Sequence, residues 1–154
     1  MSYILSTTSH IKLAQDLSKE SNIPLLQTNI DYFSNSEIRT SIEKSVRGKQ
    51  LFIVTSPHND DKSVNDYIME TYLLISKGAK DIIVIVTHGI LSGPAIDRIN
   101  NCNSIKELVV SDSLPQDSKL EKCSKLKVFS VVPTLSKIIN KLNSGGSLSE
   151  LFNS

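Results

Sequence analysis

A chain of 154 residues with 17 basic and 16 acidic side chains, net charge +1 and 39% hydrophobic residues suits one folded core and offers no strongly charged face. Lys and Arg are scattered without interleaved aromatics, which argues against a nucleic-acid groove. No apolar run is long enough to span a bilayer, and the N-terminus lacks a secretory pattern, so a cytoplasmic chain is expected. Cys102 and Cys123 stand apart without CxxC spacing and are expected as free thiols in a reducing compartment. His10, His58 and His88 are dispersed and form no metal motif.

Tyr3-Ile4-Leu5 reads as a first strand, and Thr8-Ser9 as the cap of a helix running to about Lys19 with Leu13, Ala14 and Leu17 on its apolar face. Asn22-Ile23-Pro24 stops that helix, because the residue before proline avoids helical backbone. Leu25-Leu26 starts a second strand. Asp31 to Glu37 is turn-like, and Ile38 to Ile42 alternates as a half-buried strand. After the glycine turn at Val46-Arg47-Gly48-Lys49, Leu51 to Val54 reads as a buried strand. Pro57 to Lys62 is a loop. Ser63 with Asp66 makes a weak capping box, and Val64, Ile68, Tyr72 and Ile75 recur at helical spacing to about Lys77, where Gly78 ends the helix.

Asp81 to Val86 is apolar and β-branched, the pattern of a strand buried on both faces. Ser92 or Gly93 can cap the helix announced by Pro94, with Ala95, Ile96 and Ile99 inward and Asp97 and Arg98 outward. Between strand and helix lie His88, two glycines and Ser92, outside the carboxyl end of a strand, where open α/β sheets bind ligands. A plain connection has the same pattern. No carboxylate can be assigned to His88, and Ser92 lacks a GxSxG elbow. Glu107 to Val110 and Lys127 to Val132 are further strands, separated by a polar linker from Ser111 to Lys125. Pro133 opens a helix with Leu135, Ile138, Ile139 and Leu142 on one face, Gly145-Gly146 breaks it, and Ser147 to Phe152 forms a last short helix packing Leu148, Leu151 and Phe152. Alternating strands and helices make the class α/β with a mainly parallel sheet flanked by helices.

Two blocks carry a resemblance. Phe33-Ser34-Asn35-Ser36-Glu37, Ser45-Val46-Arg47-Gly48-Lys49 and Asn65-Asp66 ahead of an apolar helix resemble the N-terminal third of phosphoribosyl pyrophosphate synthetases (ribose-phosphate diphosphokinases). Thr87 to Asn101, with Cys123-Ser124-Lys125 and Ser147 to Phe152, resembles their C-terminal third. The resemblance implies a phosphoribosyltransferase-like fold. It also implies a family reaction that transfers the pyrophosphoryl group of ATP to ribose 5-phosphate, with Mg2+, giving phosphoribosyl pyrophosphate and AMP. Members carry two similar domains. Here the match passes from the helix ending near Lys77 directly to the strand at Asp81. The expected result is one hybrid domain over 1–154, with 1–77 like the start of the N-terminal domain and 78–154 like the end of the C-terminal one.

The family's middle portion has no counterpart in the match. It holds the Arg-Gln-Asp segment at ATP, a magnesium-binding histidine, the basic catalytic loop and the loop that cradles ribose 5-phosphate. Asp60-Asp61 is followed by Lys-Ser-Val rather than by a phosphate-cradling turn. No catalytic residue and no metal ligand is therefore assigned, and ATP and Mg2+ rest on the resemblance alone. By resemblance, Phe33, Asn35 and Glu37 reach across a subunit interface to a neighbour's adenine, through ring stacking, amide pairing and a carboxylate acceptor. A surface turn is the bland alternative. By the same resemblance Ser45, Arg47, Ser147, Ser149 and Phe152 match a regulatory nucleotide-phosphate site; read from the sequence alone, Ser147 and Ser149 are better taken as helix caps after Gly145-Gly146. The expected function is a synthetase homologue, weakly active or inactive alone, that joins full-length subunits or itself in an oligomer. The alternatives are a small synthetase completed by another subunit, or a gene remnant.

Overall fold

The computed structural model describes residues 2–6, 11–26, 28–32, 38–42, 44–55, 71–72 and 74–152. Strands β1 (Ser2–Ser6), β2 (Leu25–Leu26), β5 (Gln50–Thr55), β6 (Asp81–Val86), β7 (Ile105–Ser111) and β8 (Leu126–Phe129) form one six-stranded sheet in the order β2-β1-β5-β6-β7-β8. Every pairing in it is parallel. Strands β3 (Thr28–Tyr32) and β4 (Ile38–Ile42) form a separate antiparallel hairpin whose last paired residues are Tyr32 and Ile38. The α/β class with a parallel sheet is thus the architecture of the chain, and strands from both the early and the late half share one sheet.

Alternation along the strands fixes the two faces. Leu51, Ile53, Ile82, Val84, Leu108 and Val110 point into one core, all at most 4% exposed. On the other face Ile4, Val54 and Ala14 make a smaller cluster under helix α1 (Ile11–Ser21). Of the expected α1 face only Ala14 is buried; Leu17 is exposed, and the helix runs on to Ser21. Asn22, at φ 56°, turns the chain out of it, and the Pro24 carbonyl accepts Ile4 N–H as β2 begins. The expected cap at Thr8-Ser9 and the expected capping box at Ser63 lie outside the described residues.

Several expectations change. Asp31 and Tyr32 belong to β3 rather than to a turn, because cross-strand pairing to Arg39 and Ile38 overrides their polar, turn-like sequence. Strand β6 is buried on one face only: Ile83 and Ile85 are half-buried and belong to neither core cluster. The last strand stops at Phe129, and Val132 opens helix α5 (Val132–Asn143) one residue before Pro133. The polar linker after β7 contains a single helical turn, α4 (Asp117–Leu120).

Helix α2, of which residues 71–72 and 74–76 are described, ends where Gly78 adopts φ 90°. Gly78 N–H bonds the Ile75 carbonyl and Ala79 N–H the Leu74 carbonyl, a left-handed stop that returns the chain to β6. Helix α3 (Ala95–Asn101) buries Ala95 and Ile99, with Ile96 packed beside them, as expected; Arg98 is half-buried. Its far end is closed by Lys125, whose Nζ donates to the carbonyls of Ile99, Asn100 and Cys102 at 2.9, 3.1 and 2.8 Å. Both cysteines are free and buried. The final helix α6 (Ser149–Phe152) follows Gly145, at φ 72°, with Leu148 and Leu151 half-buried. No helix among the described residues is long and apolar enough to cross a membrane.

Candidate functional site

Strand order reverses between β1 and β5, the switch point where such sheets open a crevice. The segments that follow these two strands, 7–10 and 56–70, lie outside the described residues. The described part of the carboxyl edge is the loop after β6, one strand further on.

That loop is tightly built. Ile90 N–H bonds the His88 carbonyl at 2.8 Å, and Leu91 N–H bonds the Gly89 carbonyl at 3.0 Å. Gly89 is buried against β7 and the start of α4. A methyl group there would stand 2.7 Å from Gln116 Nε2 and 3.1 Å from Val110 Cβ and Cγ1. The Gly89 carbonyl accepts Gln116 Nε2 at 3.1 Å and Lys119 Nζ at 3.0 Å. Gly93, at φ 55°, then turns the chain into α3, whose cap position is Pro94 and which has no side-chain cap. The hydroxyl of Ser92 therefore does not cap the helix; its carbonyl accepts Ala95 N–H instead.

Beside the loop, the end of β7 brings a hydroxyl pair. Ser111, 2% exposed, donates from Oγ to the Thr87 carbonyl, and its Oγ lies 2.7 Å from Ser113 Oγ. His88, on the surface, places Nδ1 2.9 Å from Ser113 Oγ. An imidazole beside a hydroxyl is the start of a nucleophile–base pair, but among the described residues no carboxylate bonds the ring, and Ser113 also leans on the Thr87 carbonyl at 3.3 Å. Among the described residues the arrangement holds the loop. Ser111, Ser113, Gln116 and Lys119 were not singled out by sequence. The signal was topological: in a parallel sheet, the loops after neighbouring strands emerge side by side, so a polar segment after β7 abuts the loop after β6.

Next along the edge, Asp112 ties β7 to α5. Its carboxylate accepts Ser130 Oγ and, at 2.8 Å, Val131 N–H. These bonds, Ser130 first, hold the carboxyl below the usual carboxylate range. With the folded-state value lowered, the anchoring is complete above the unfolded carboxylate pKa and is lost as pH falls through the lowered value. Asp112→Asn is accordingly expected to make stability less steeply dependent on pH in the acid range. Urea midpoints of both proteins at neutral and acid pH check this.

The sites expected by resemblance fall in three places. Phe33, Asn35 and Glu37 lie outside the described residues. Ser45 and Arg47 occupy the exposed turn before β5, where Arg47 N–H reaches Ser45 Oγ at 3.4 Å and Gly48 N–H bonds the Gly78 carbonyl at 2.8 Å. Ser45 lines a cleft of about 200 Å³ with Ile42, Val46 and two cations, Lys44 and Lys77. At the other end of the chain, Ser149 N–H donates to Ser147 Oγ at 3.3 Å, and the two hydroxyls are hydrogen-bonded to each other. Phe152 is the last residue of α6. No hydrogen bond or ion pair among the described residues joins Ser45 or Arg47 to Ser147 or Ser149.

A family model described as the N-terminal domain of ribose phosphate pyrophosphokinase matches residues 2–90, more than half of the chain. The chain belongs to the ribose-phosphate pyrophosphokinase family. Ribose-phosphate pyrophosphokinase A of Dictyostelium discoideum is 44% identical over 80 residues, covering 52% of this chain and 25% of that protein. Ribose-phosphate pyrophosphokinase B of the same organism is 32% identical over 143 residues, covering 93% of this chain and 41% of that protein. The crystal structure of phosphoribosylpyrophosphate synthetase from Mycobacterium smegmatis superposes with a TM-score of 0.75 at 24% identity, over 94% of this chain and 46% of that one. That likeness establishes the fold. This ribose-phosphate pyrophosphokinase homologue spans less than half the length of the relatives it matches.

Proposed function

We propose that this ribose-phosphate pyrophosphokinase homologue has little or no synthetase activity alone and acts in the cytoplasm as a non-catalytic, regulatory partner of full-length synthetase subunits. The observation that carries the reading lies within the matched stretch: over the 93% of this chain that aligns with ribose-phosphate pyrophosphokinase B, the one Asp-Asp pair, Asp60-Asp61, is followed by Lys-Ser-Val rather than by a phosphate-cradling turn. A chain can keep the family's fold and surface elements over such a span while lacking the central loops that seat ribose 5-phosphate. The hybrid-domain reading, 1–77 joined to 78–154, fits a sheet in which β5 and β6 pair over all six residues of each strand.

In this reading Phe33, Asn35 and Glu37 are lent to a neighbour's adenine. Ser45 and Arg47, with Lys44 and Lys77 beside Ser45, offer donors and positive charge to a regulatory phosphate, and Ser147, Ser149 and Phe152 complete that site. ATP and Mg2+ come with the family. Among the described residues no three His, Cys, Asp or Glu side chains gather to hold a metal ion.

The test is AMP release from ATP, Mg2+, phosphate and ribose 5-phosphate, by the chain alone and mixed with a full-length synthetase. The expected result is no release by the chain alone and a changed rate or nucleotide inhibition in the mixture, lost on Arg47→Ala. Release dependent on ribose 5-phosphate by the chain alone overturns the non-catalytic reading. A mixture indistinguishable from synthetase alone overturns the regulatory one.

A further inference from the structure

Between the start of α3 and α4 lies a cleft of about 500 Å³, more than twice the size of the one at Ser45. Clefts of that volume hold small molecules. Leu91 and Ile96 give it an apolar lining, Lys119, Lys122 and Ser118 line it from the α4 segment, and Asp97 lines it from α3. Hydrogen bonds fix the two walls to one another. Gln116 Nε2 and Lys119 Nζ both reach the Gly89 carbonyl, at 3.1 and 3.0 Å, and Asn100 Nδ2 bonds the Lys122 carbonyl at 2.8 Å. The gap is therefore set by the fold. Opposite charges share it without meeting. No ion pair joins Asp97 to either ammonium, and among the described residues no partner bonds the side chains of Asp97, Ser118 or Lys122. Lys119 has one ammonium hydrogen engaged by the Gly89 carbonyl and two left to donate.

We propose that this cleft binds a small amphoteric anion, its oxyanion held by Lys119, Lys122 and Ser118 and its ammonium by Asp97. The donor inventory sets the class. Ammonium groups only donate and an ionised carboxylate only accepts, so the ligand must bring acceptors to one wall and donors to the other. Two cations and one carboxylate are matched by the reverse set of charges, as in an amino dicarboxylate or an aminoalkyl phosphate. Each contact is then a charge-assisted hydrogen bond. Leu91 and Ile96 suit the short methylene chain that separates the two ends of such a molecule. A plain anion fits less well, because Asp97 stands in the same cleft and repels it, and a plain cation is repelled by both lysines. The walls are held in place before any ligand arrives, so little ordering opposes binding. The proposal does not depend on the regulatory reading.

Amide NMR titration of the purified chain tests it, with four probes: L-glutamate, glutarate (the same molecule without its amine), O-phosphoethanolamine and inorganic phosphate. The amine-bearing probes are expected to shift residues 91–97 and 118–122 saturably, with a dissociation constant at or below about 1 mM, and their amine-free counterparts to bind about tenfold more weakly. Binding by only one of the two amine-bearing probes supports the site and names its oxyanion as carboxylate or phosphate. Lys122→Ala is expected to weaken the amine-bearing and amine-free probes alike, whereas Asp97→Asn removes only the advantage of the amine. Amide shifts elsewhere that match the parent show that both variants are folded. No saturable shift with either amine-bearing probe overturns the proposal, as does binding indifferent to both substitutions. Glutarate held as tightly as glutamate, or phosphate as tightly as O-phosphoethanolamine, also overturns it, in favour of a plain anion. These readouts involve neither a synthetase nor AMP release, so failure here and failure of the regulatory reading are told apart.

Discussion

Gly89→Ala is expected to destabilise the fold by about 1–3 kcal/mol and Gly89→Val by more. The added methyl meets Val110 at 3.1 Å, at a Cβ that no side-chain rotation can move, and the Gln116 amide at 2.7 Å. The amide can retreat only by giving up its bond to the Gly89 carbonyl. It is only 4% exposed, and its Oε1 already lacks a partner, so retreat leaves a second buried polar group unsatisfied. Thermal melts and urea titrations read the loss directly. A drop in melting temperature of a few degrees for Ala is the expected scale for a chain of this length. An Ala variant as stable as the parent means that the loop after β6 is not clamped as described.

Lys125→Met is expected to cost about 2–3 kcal/mol, because one ammonium serves three carbonyls at the end of α3. Methionine preserves most of the apolar stem, so the measured loss reports the donors. Lys125→Arg is not a neutral control: a planar fork cannot place three donors around one point as an ammonium does. The effect is expected to be local first, with hydrogen exchange rising in residues 95–102 before the sheet is affected. Uniform loss of protection across β5 to β7 at the same substitution contradicts the capping role.

How much was legible beforehand follows from where each signal is stored. The strands β1, β5, β6 and β7 were readable because parallel central strands write themselves as apolar β-branched runs, as in Asp81 to Val86. The hairpin strand β3 was not, since Thr28, Asn29 and Asp31 have turn chemistry and owe their extension to a partner ten or so residues on. The stripe on α5 was visible as a stripe; that it faces outward is a property of the packed sheet and is absent from any local pattern. Lys125 was noticed inside a motif, yet its job depends on α3 ending within reach of a loop more than twenty residues later. Ser111 and Ser113 were passed over because serine in a polar linker is unremarked until topology sets it beside Thr87 and His88. Ser147 shows the opposite case. Its Oγ accepts Ser149 N–H at the start of α6, a contact local in sequence, while any phosphate role depends on groups elsewhere.

Strand order has a consequence for how the chain is made. From β5 onward the spatial order β5-β6-β7-β8 is also the order of synthesis. Each new strand leaves the ribosome to find an edge already formed, displaced by one connection, and adds to it as a short-range unit. Strand β1 behaves differently: made first, it pairs with β2 early but waits for β5 before its second edge is occupied. A chain made only as far as residue 49 holds β1 with its β5 edge open, whereas one made to residue 86 has β2, β1, β5 and β6 in place and only the β7 edge of β6 still to be closed.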